Sequence, residues 1–282
     1  MEPSPAIPAK TSQTPAGARE FLSYLRSVLL TNNLIFLYTA FMGTLSLAGS
    51  LVDSGGRWQH GCARVWSWLI LKTSGIRVCV EGMEHVQPGA PAIFCVNHQS
   101  SMDIPVLLVH LPFQFRFVAK RSLFRYPFMG WHLRRSGHIA VERNRPGEAR
   151  KSIDNAVEKI RDGYPVVVFP EGGRSRTGEI LPFKAGAFHL AIRSGVLIFP
   201  VTLNGTMAVL KPDSVHIKSG RVEMIVHPPI PTAGLTSGDT NELADRVRNQ
   251  VLSRFKPPAR EGSESVNQGV SGSLKSLKES DD

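Results

Sequence analysis

Seven short apolar runs, bounded by polar or turn residues, recur downstream of Gly75, at residues 77–80, 92–96, 115–119, 139–141, 166–169, 197–203 and 222–226. Their length and β-rich content suit buried strands. Helical patterns separate them. Ile153, Ala156, Val157 and Ile160 fall at i, i+3, i+4 and i+7, one face of an amphipathic helix closed by Gly163. Leu243, Val247 and Val251 repeat every four residues behind a capping signal from Asp239 to Glu242. Alternating strands and helices predict an α/β fold with a mostly parallel central sheet flanked by helices.

Upstream of Gly75 the pattern changes. Residues 28 to 52 carry no charge, and from Leu34 onward they are mostly Leu, Ile, Phe, Ala and Gly. That is roughly the length that crosses a hydrocarbon core. A polar break, Asp53-Ser54-Gly55-Gly56-Arg57, leads into a stretch from Trp58 to Lys72 with three tryptophans and basic residues at each end. Such a stretch suits a helix at the headgroup level. Residues 19–74 are therefore expected to form a membrane-associated two-helix hairpin, followed by the α/β domain over 75–256. Residues 1–18 and 257–282 lack apolar periodicity and are expected to be disordered. The N-terminus has no basic start, apolar run and cleavage site of a signal peptide, so secretion is not expected. A net charge of +10 points to anionic partners. Nucleic acid is not expected among them, because aromatic residues do not interleave with the basic ones and no nucleic-acid module is visible. Cys62, Cys79 and Cys95 show no paired spacing and read as buried thiols.

Two of the apolar runs end in reactive residues. Ala92-Ile93-Phe94-Cys95-Val96 is followed by Asn97-His98-Gln99-Ser100-Ser101-Met102-Asp103. In an uninterrupted helix, His98 and Asp103 would be turned about 140° from each other. They meet only if His98 sits in a turn and Asp103 in the first turn of a following helix. A carboxylate on one imidazole nitrogen then fixes the tautomer and leaves the other free to accept a proton. The run Val166-Val167-Val168-Phe169 leads into Pro170-Glu171-Gly172-Gly173-Arg174-Ser175. Glycines let backbone amides approach an anion, and Arg174 can grip phosphate oxygens in a fork. The lysine-serine ending of a nucleotide-hydrolase phosphate loop is missing. Lys120 and Arg121 follow the third run, Arg143 follows the fourth, and Lys184 precedes a short apolar helix pattern. Ligands of open α/β sheets gather at the carboxyl ends of strands. These cations beside His98 therefore suit a phosphorylated substrate whose hydroxyl must lose a proton.

In this order and spacing, the blocks resemble the signatures of the glycerolipid acyltransferase family. Asn97-His98, four residues, then Asp103 is similar to the first signature. Lys120-Arg121-Ser122-Leu123 with Pro127 and Gly130 resembles the segment before the second. Gly137-His138-Ile139-Ala140-Val141-Glu142-Arg143 resembles the second, although the family more often has an aromatic residue and Asp where Val141 and Glu142 stand. Phe169-Pro170-Glu171-Gly172-Gly173-Arg174-Ser175 looks like the third, and residues 181–188 and Phe199-Pro200-Val201 match the remaining blocks. The resemblance covers about residues 75–230. It implies transfer of a fatty acyl group from acyl-CoA or acyl carrier protein to a lysophospholipid hydroxyl, with lysophosphatidic acid the leading acceptor. It implies His98 as general base and Asp103 as the group that orients it. Lys120, Arg143 and Arg174 would bind the glycerol phosphate. Glu171, Gly172 and Gly173, with Ser175, would shape the acceptor site. Neither metal nor redox cofactor is implied. The family carries a similar pair of N-terminal membrane helices, which agrees with residues 28–72. An inner-membrane protein is expected, with the catalytic domain on the cytoplasmic face because acyl thioesters reside there.

Three other readings remain. The departure at Val141-Glu142 leaves open another acceptor, such as lyso-ornithine lipid. His98 activating water would make a thioester or lipid hydrolase. The positive charge alone would suit a non-enzymatic binder of anionic surfaces. An acyl-serine at Ser100 or Ser101 is disfavoured because the Gly-x-Ser-x-Gly elbow is absent.

Overall fold

The structure, a computed structural model, describes residues 16–87, 89–142 and 146–258. Almost all of the two terminal segments expected to be disordered lies outside that range. So does Arg143. Residues 16–18 are described, and they are already helical.

The described residues open with α1 (Ala16–Arg26), continue through one wide turn (Ser27–Thr31) into α2 (Asn32–Gly49), and reverse into α3 (Arg57–Ser74). The α/β part then runs β1 (Ile76–Glu81), β2 (Ala92–Val96), α4 (Asp103–His110), β3 (Arg116–Lys120), α5 (Met129–Arg135), β4 (Ile139–Val141), α6 (Pro146–Arg161) and β5 (Val166–Val168). It closes with α7 (Gly186–Ser194), β6 (Leu197–Asn204), α8 (Thr206–Val209), β7 (Gly220–Val226) and α9 (Thr240–Ser253). The seven strands form one sheet in the order β1-β7-β6-β2-β5-β3-β4. Every pairing is parallel except β6 with β7. Each predicted strand is present, with ends moved by a residue or two.

β2 lies at the centre with all five residues buried. Alternation splits them between two cores. Phe94 and Val96 join Val167, Phe199 and Val201 on the face covered by Ile70 and Leu71 of α3 and Val106 and Leu107 of α4. Ile93 and Cys95 join Val166, Val168 and Ile198 on the face covered by Ala156, Val157 and Ile160 of α6, Phe188 of α7 and Leu243 and Val247 of α9. The two predicted amphipathic faces therefore cover one side of the sheet, and the hairpin's second helix helps to cover the other.

Three details differ from the sequence expectations. Cys79 is exposed, because β1 is an edge strand with an open face. The cap before α9 is built one step earlier: the backbone amide and hydroxyl of Thr236 both donate to Asp239, at 2.6 and 2.8 Å, closing a capping box around the turn Ser237–Asp239. Asp239 is thereby occupied and offers α9 no side-chain cap. The helix that carries the uncharged N-terminal run ends at Gly49, short of Val52. It belongs to one apolar helical stretch, Gly17–Gly49, of 33 residues.

Candidate active site

β2, β5, β3, β4 and β6 all point the same way, so their carboxyl ends share one edge of the sheet. At that edge the ladder between β2 and β6 gives way to a side chain. Asn97 Nδ2 donates to the Leu203 carbonyl at 2.9 Å and the Leu203 amide donates to Asn97 Oδ1 at 2.7 Å. This amide pair prolongs the strand contact by one residue and fixes where the backbone turns. His98, next in line, keeps the parity of Phe94 and Val96 and faces the side where α4 packs.

Asp103 opens α4. Its Oδ2 accepts three hydrogen bonds: from His98 Nδ1 at 2.7 Å, the Gln99 amide at 2.8 Å and the Ser100 amide at 2.9 Å. Asp103 is fully buried, whereas the His98 side chain keeps 16% of its exposure. The dyad is thus sealed on the carboxylate side and open on the imidazole side. His98 Nε2 takes part in no hydrogen bond among the described residues. The positive end of the α4 dipole favours the carboxylate's charge. Phe169 leaves the strand after Val168 and stacks on the His98 ring, with centroids 4.0 Å apart and planes 20° from parallel. Ring stacking and the Nδ1 bond together fix the imidazole plane.

Glu171 holds the two loops together. Its Oε1 accepts from the His98 amide at 2.6 Å and its Oε2 from the Leu181 amide at 2.8 Å. The Ser175 amide donates back to the His98 carbonyl at 2.9 Å. Glu171 is buried, so its carboxylate grips backbone and is not presented to a ligand. The sequence expectation is that Glu171 and its glycines shape the acceptor site; here Glu171 ties the loop after β2 to the chain at Leu181. Burial pushes the Glu171 carboxyl above its ordinary range, against the pull of the His98 and Leu181 amides, with the Asp103 charge adding to the rise. A carboxyl that gains a proton more readily when folded contributes stability below the ordinary carboxylate range. That contribution is lost as pH rises through the raised value. The non-titrating variant Glu171→Gln should therefore lag the native protein most in acid, and the gap in melting temperature should narrow toward neutral pH. Thermal unfolding across a pH series measures it. At all pH values the variant should remain less stable by about 1–3 kcal/mol, because an amide cannot accept from both backbone donors.

Gly172 has φ +77°, and a β-carbon there would run into the Lys184 side chain at 2.9 Å. Glycine lets Lys184 lie across the turn, which brings that cation to the site. Gly173 is open to solvent with no neighbour where a β-carbon would sit. Arg174 donates from Nη1 to Ser101 Oγ at 2.7 Å and stands 3.8 Å from Asp213 Oδ1. Arg176 pairs with the other Asp213 oxygen at 3.0 Å. Lys120 sits exposed at the end of β3, on the same edge but two strand spacings from β2, about 10 Å.

The fold thus links His98, Asp103, Glu171 and Ser175 by hydrogen bonds, with Gly172, Gly173 and Arg174 on the turn between Glu171 and Ser175, Arg174 bonded to Ser101, and Lys120 farther along the same sheet edge. Sequence reasoning missed the stacking of Phe169 and the pairing of Asp213 with Arg174. The first was accessible from strand alternation, since Phe169 shares the parity of Val167. The second had no local signal. Among the described residues no group of three or more His, Cys, Asp or Glu side chains is arranged to hold a metal ion.

Residues 77–204 match the family model described as Acyltransferase. The human 1-acyl-sn-glycerol-3-phosphate acyltransferase alpha is 36% identical over 189 residues, 67% of each chain. The 1-acyl-sn-glycerol-3-phosphate acyltransferase of Saccharomyces cerevisiae is 34% identical over 240 residues, 84% of this chain and 78% of that one. The chain belongs to the acyltransferase family. This acyltransferase also shares its fold with the crystal structure of PlsC, the 1-acyl-sn-glycerophosphate (LPA) acyltransferase of Thermotoga maritima. The TM-score is 0.64 at 24% identity, over 85% of this chain and 99% of that one. The matched segment begins in β1 and ends at Asn204, the last residue of β6. It therefore contains the His98–Asp103 pair and the Glu171 turn, whereas Asp213 and the N-terminal helices of this acyltransferase lie outside it.

Proposed function

We propose that this acyltransferase moves a fatty acyl group from a thioester, acyl-CoA or acyl carrier protein, to the sn-2 hydroxyl of 1-acyl-sn-glycerol-3-phosphate, giving phosphatidic acid. The observation that carries the mechanism is the buried Asp103 holding His98 Nδ1, which leaves Nε2 of a partly exposed ring without a hydrogen bond among the described residues. An alcohol is a poor nucleophile at neutral pH, so a base must take its proton as attack proceeds. His98 Nε2 accepts that proton while the acceptor oxygen bonds to the thioester carbonyl carbon. The tetrahedral intermediate collapses with cleavage of the carbon–sulfur bond, and the imidazolium returns its proton to the departing thiolate. No step calls for a cofactor or for an enzyme nucleophile. The turn at Gly173 and Arg174 offers backbone amides for the oxyanion.

Arg174 meets the phosphate. Its link to Asp213 is long and solvent-exposed, so a phosphate monoester displaces the carboxylate at little cost. Lys184 and Lys120 add positive potential on either side. Arg174→Ala should raise KM for lysophosphatidic acid by about 10- to 100-fold, the worth of hydrogen bonds to a charged group. Lysolipids without a phosphate monoester should be affected far less.

The apolar stretch Gly17–Gly49 anchors the enzyme to the bilayer. It is tied to the α/β domain near both ends: Glu20 pairs with Lys218 at 2.9 Å, Ser27 donates to the Val215 carbonyl at 2.9 Å, and Ser46 bonds His132 at 2.7 Å. Residues 20 and 46 lie about 39 Å apart along a helix. The helix therefore lies against the domain along its length and offers Phe21, Leu29, Phe36 and Phe41 to lipid. Acyl thioesters reside in the cytoplasm, which is where the catalytic edge faces.

The deciding experiment is an acyl-transfer assay of the purified enzyme across lysophosphatidic acid, lyso-ornithine lipid and neutral lysolipids, with products identified by mass. Phosphatidic acid as the dominant product supports the reading. Fatty acid release at the same rate with and without an acceptor would overturn it in favour of a hydrolase.

A further inference from the structure

We infer that the segment between β3 and α5, together with α5 itself, is a second membrane-contacting element that rests the mouth of the active site on the lipid surface. This rests on the lipid substrate proposed above. The segment departs from the catalytic edge of the sheet directly after Lys120, as a turn over Arg121–Arg125 leading to α5. It exposes Leu123, Tyr126, Phe128, Met129 and Trp131, five large apolar side chains within nine residues of a region that otherwise faces water. Scattered exposed apolar residues need no explanation, but a contiguous exposed set marks a contact surface.

The backbone is bent to hold this cluster outward. Phe128 has φ +59° and ψ −62°, and the Met129 amide donates across it to the Pro127 carbonyl at 2.6 Å. That is the γ-turn with positive φ, a rare and strained conformation for a residue with a side chain. Strain of this kind persists where surrounding structure enforces it, and it concentrates at functional segments. Phe128 meets Trp131 edge-on, at 5.3 Å between centroids, and remains 65% exposed. Gly130 lets the turn close: a β-carbon there would strike the Phe124 carbonyl oxygen.

Two observations select a lipid bilayer as the occupant. The cluster is continuous with the anchor helix, because α5 packs on α2 through the Ser46–His132 bond, and α2 exposes Phe41 and Leu45 nearby in sequence. Exposed Arg125 and Arg135 flank the aromatic residues, the arrangement of an interfacial element with rings at the headgroup level and cations toward phosphates. The anchor helix and this segment then form one continuous apolar surface broader than a single helix. Its breadth holds the catalytic edge at a fixed angle to the lipid surface.

The test uses the full chain reconstituted in vesicles of phosphatidylcholine with phosphatidylglycerol. The emission of Trp131 is obtained as the difference between the native chain and Trp131→Phe, which leaves the hairpin tryptophans in place. Brominated acyl chains should quench that difference signal by about twofold, as for a ring at the headgroup–acyl boundary, and aqueous iodide should quench it poorly. Strong iodide quenching with no effect of brominated lipid would overturn the inference. A signal that instead follows protein concentration in the vesicles would also overturn it, by assigning the surface to a second copy. As a second measurement, the double variant Phe128→Ser, Trp131→Ser should lose about tenfold of its activity on vesicle-borne lysolipid. It should keep its activity on a short-chain lysolipid dispersed below its micelle concentration. Equal loss on both substrates would indicate a distorted site and count against the inference. The fluorescence readout does not depend on which acyl transfer the enzyme performs, so it separates failure here from failure of the proposed reaction.

Discussion

His98→Ala is expected to lower acyl transfer by about 10²- to 10⁴-fold, the usual worth of a positioned general base, with lysolipid binding little changed. The fold should survive, because the side chain is partly exposed and the contacts that hold its loop are made by the backbone: the His98 amide to Glu171 and the His98 carbonyl to the Ser175 amide. The loss should therefore fall on kcat. Steady-state kinetics with lysophosphatidic acid, alongside thermal unfolding of the variant, measure both. Near-native turnover in a folded His98→Ala enzyme would remove the mechanism. A concurrent collapse of the melting temperature would mean that the stacking of Phe169 on the imidazole holds the site together.

Asp103→Asn should cost about 10²- to 10³-fold in kcat, by a different route. One Asp103 oxygen receives the imidazole and two backbone amides, while the other has no partner among the described residues. Asparagine can place its carbonyl oxygen on the same three donors, so the turn and the start of α4 should persist. What disappears is the negative charge that stabilises the imidazolium as the acceptor's proton arrives. If the amide instead rotates its nitrogen toward His98, it imposes the wrong tautomer and the loss is larger. Asp103→Ala removes the acceptor for two buried amides as well, and should destabilise the protein by about 2–5 kcal/mol. Comparing the two substitutions separates charge from scaffold. A kcat for Asp103→Asn within a few-fold of native would show that the carboxylate serves only the turn.

These roles were legible to unequal degrees. His98 and Asp103 lie five residues apart, so a strand end, one turn and the start of a helix suffice to join them. All three are local preferences written in the run from Ala92 to Asp103. Phe169 was within reach by the same logic, since strand parity put it on the face of His98. Arg174 was visible as a cation at a strand end, but its partner Asp213 belongs to a loop that only the folded domain brings near. The misreadings have the same origin. Cys79 reads as buried because its neighbours are apolar, yet β1 became an edge strand. Asp239 reads as a helix cap, yet Thr236 took its carboxylate first.

Sequence alone therefore determined the seven strands, the amphipathic faces, the apolar N-terminal stretch and the His98–Asp103 pair, because each depends on periodicity or on contacts within a few residues. Tertiary structure alone decided that β5 lies beside β2, and with it that Glu171 reaches the backbone of His98 across 73 residues of chain. Strand order reflects which apolar faces find cover from which helices, a competition among distant segments that no single window of sequence records. The same competition left the aromatic turn around Phe128 uncovered and set it beside the anchor helix.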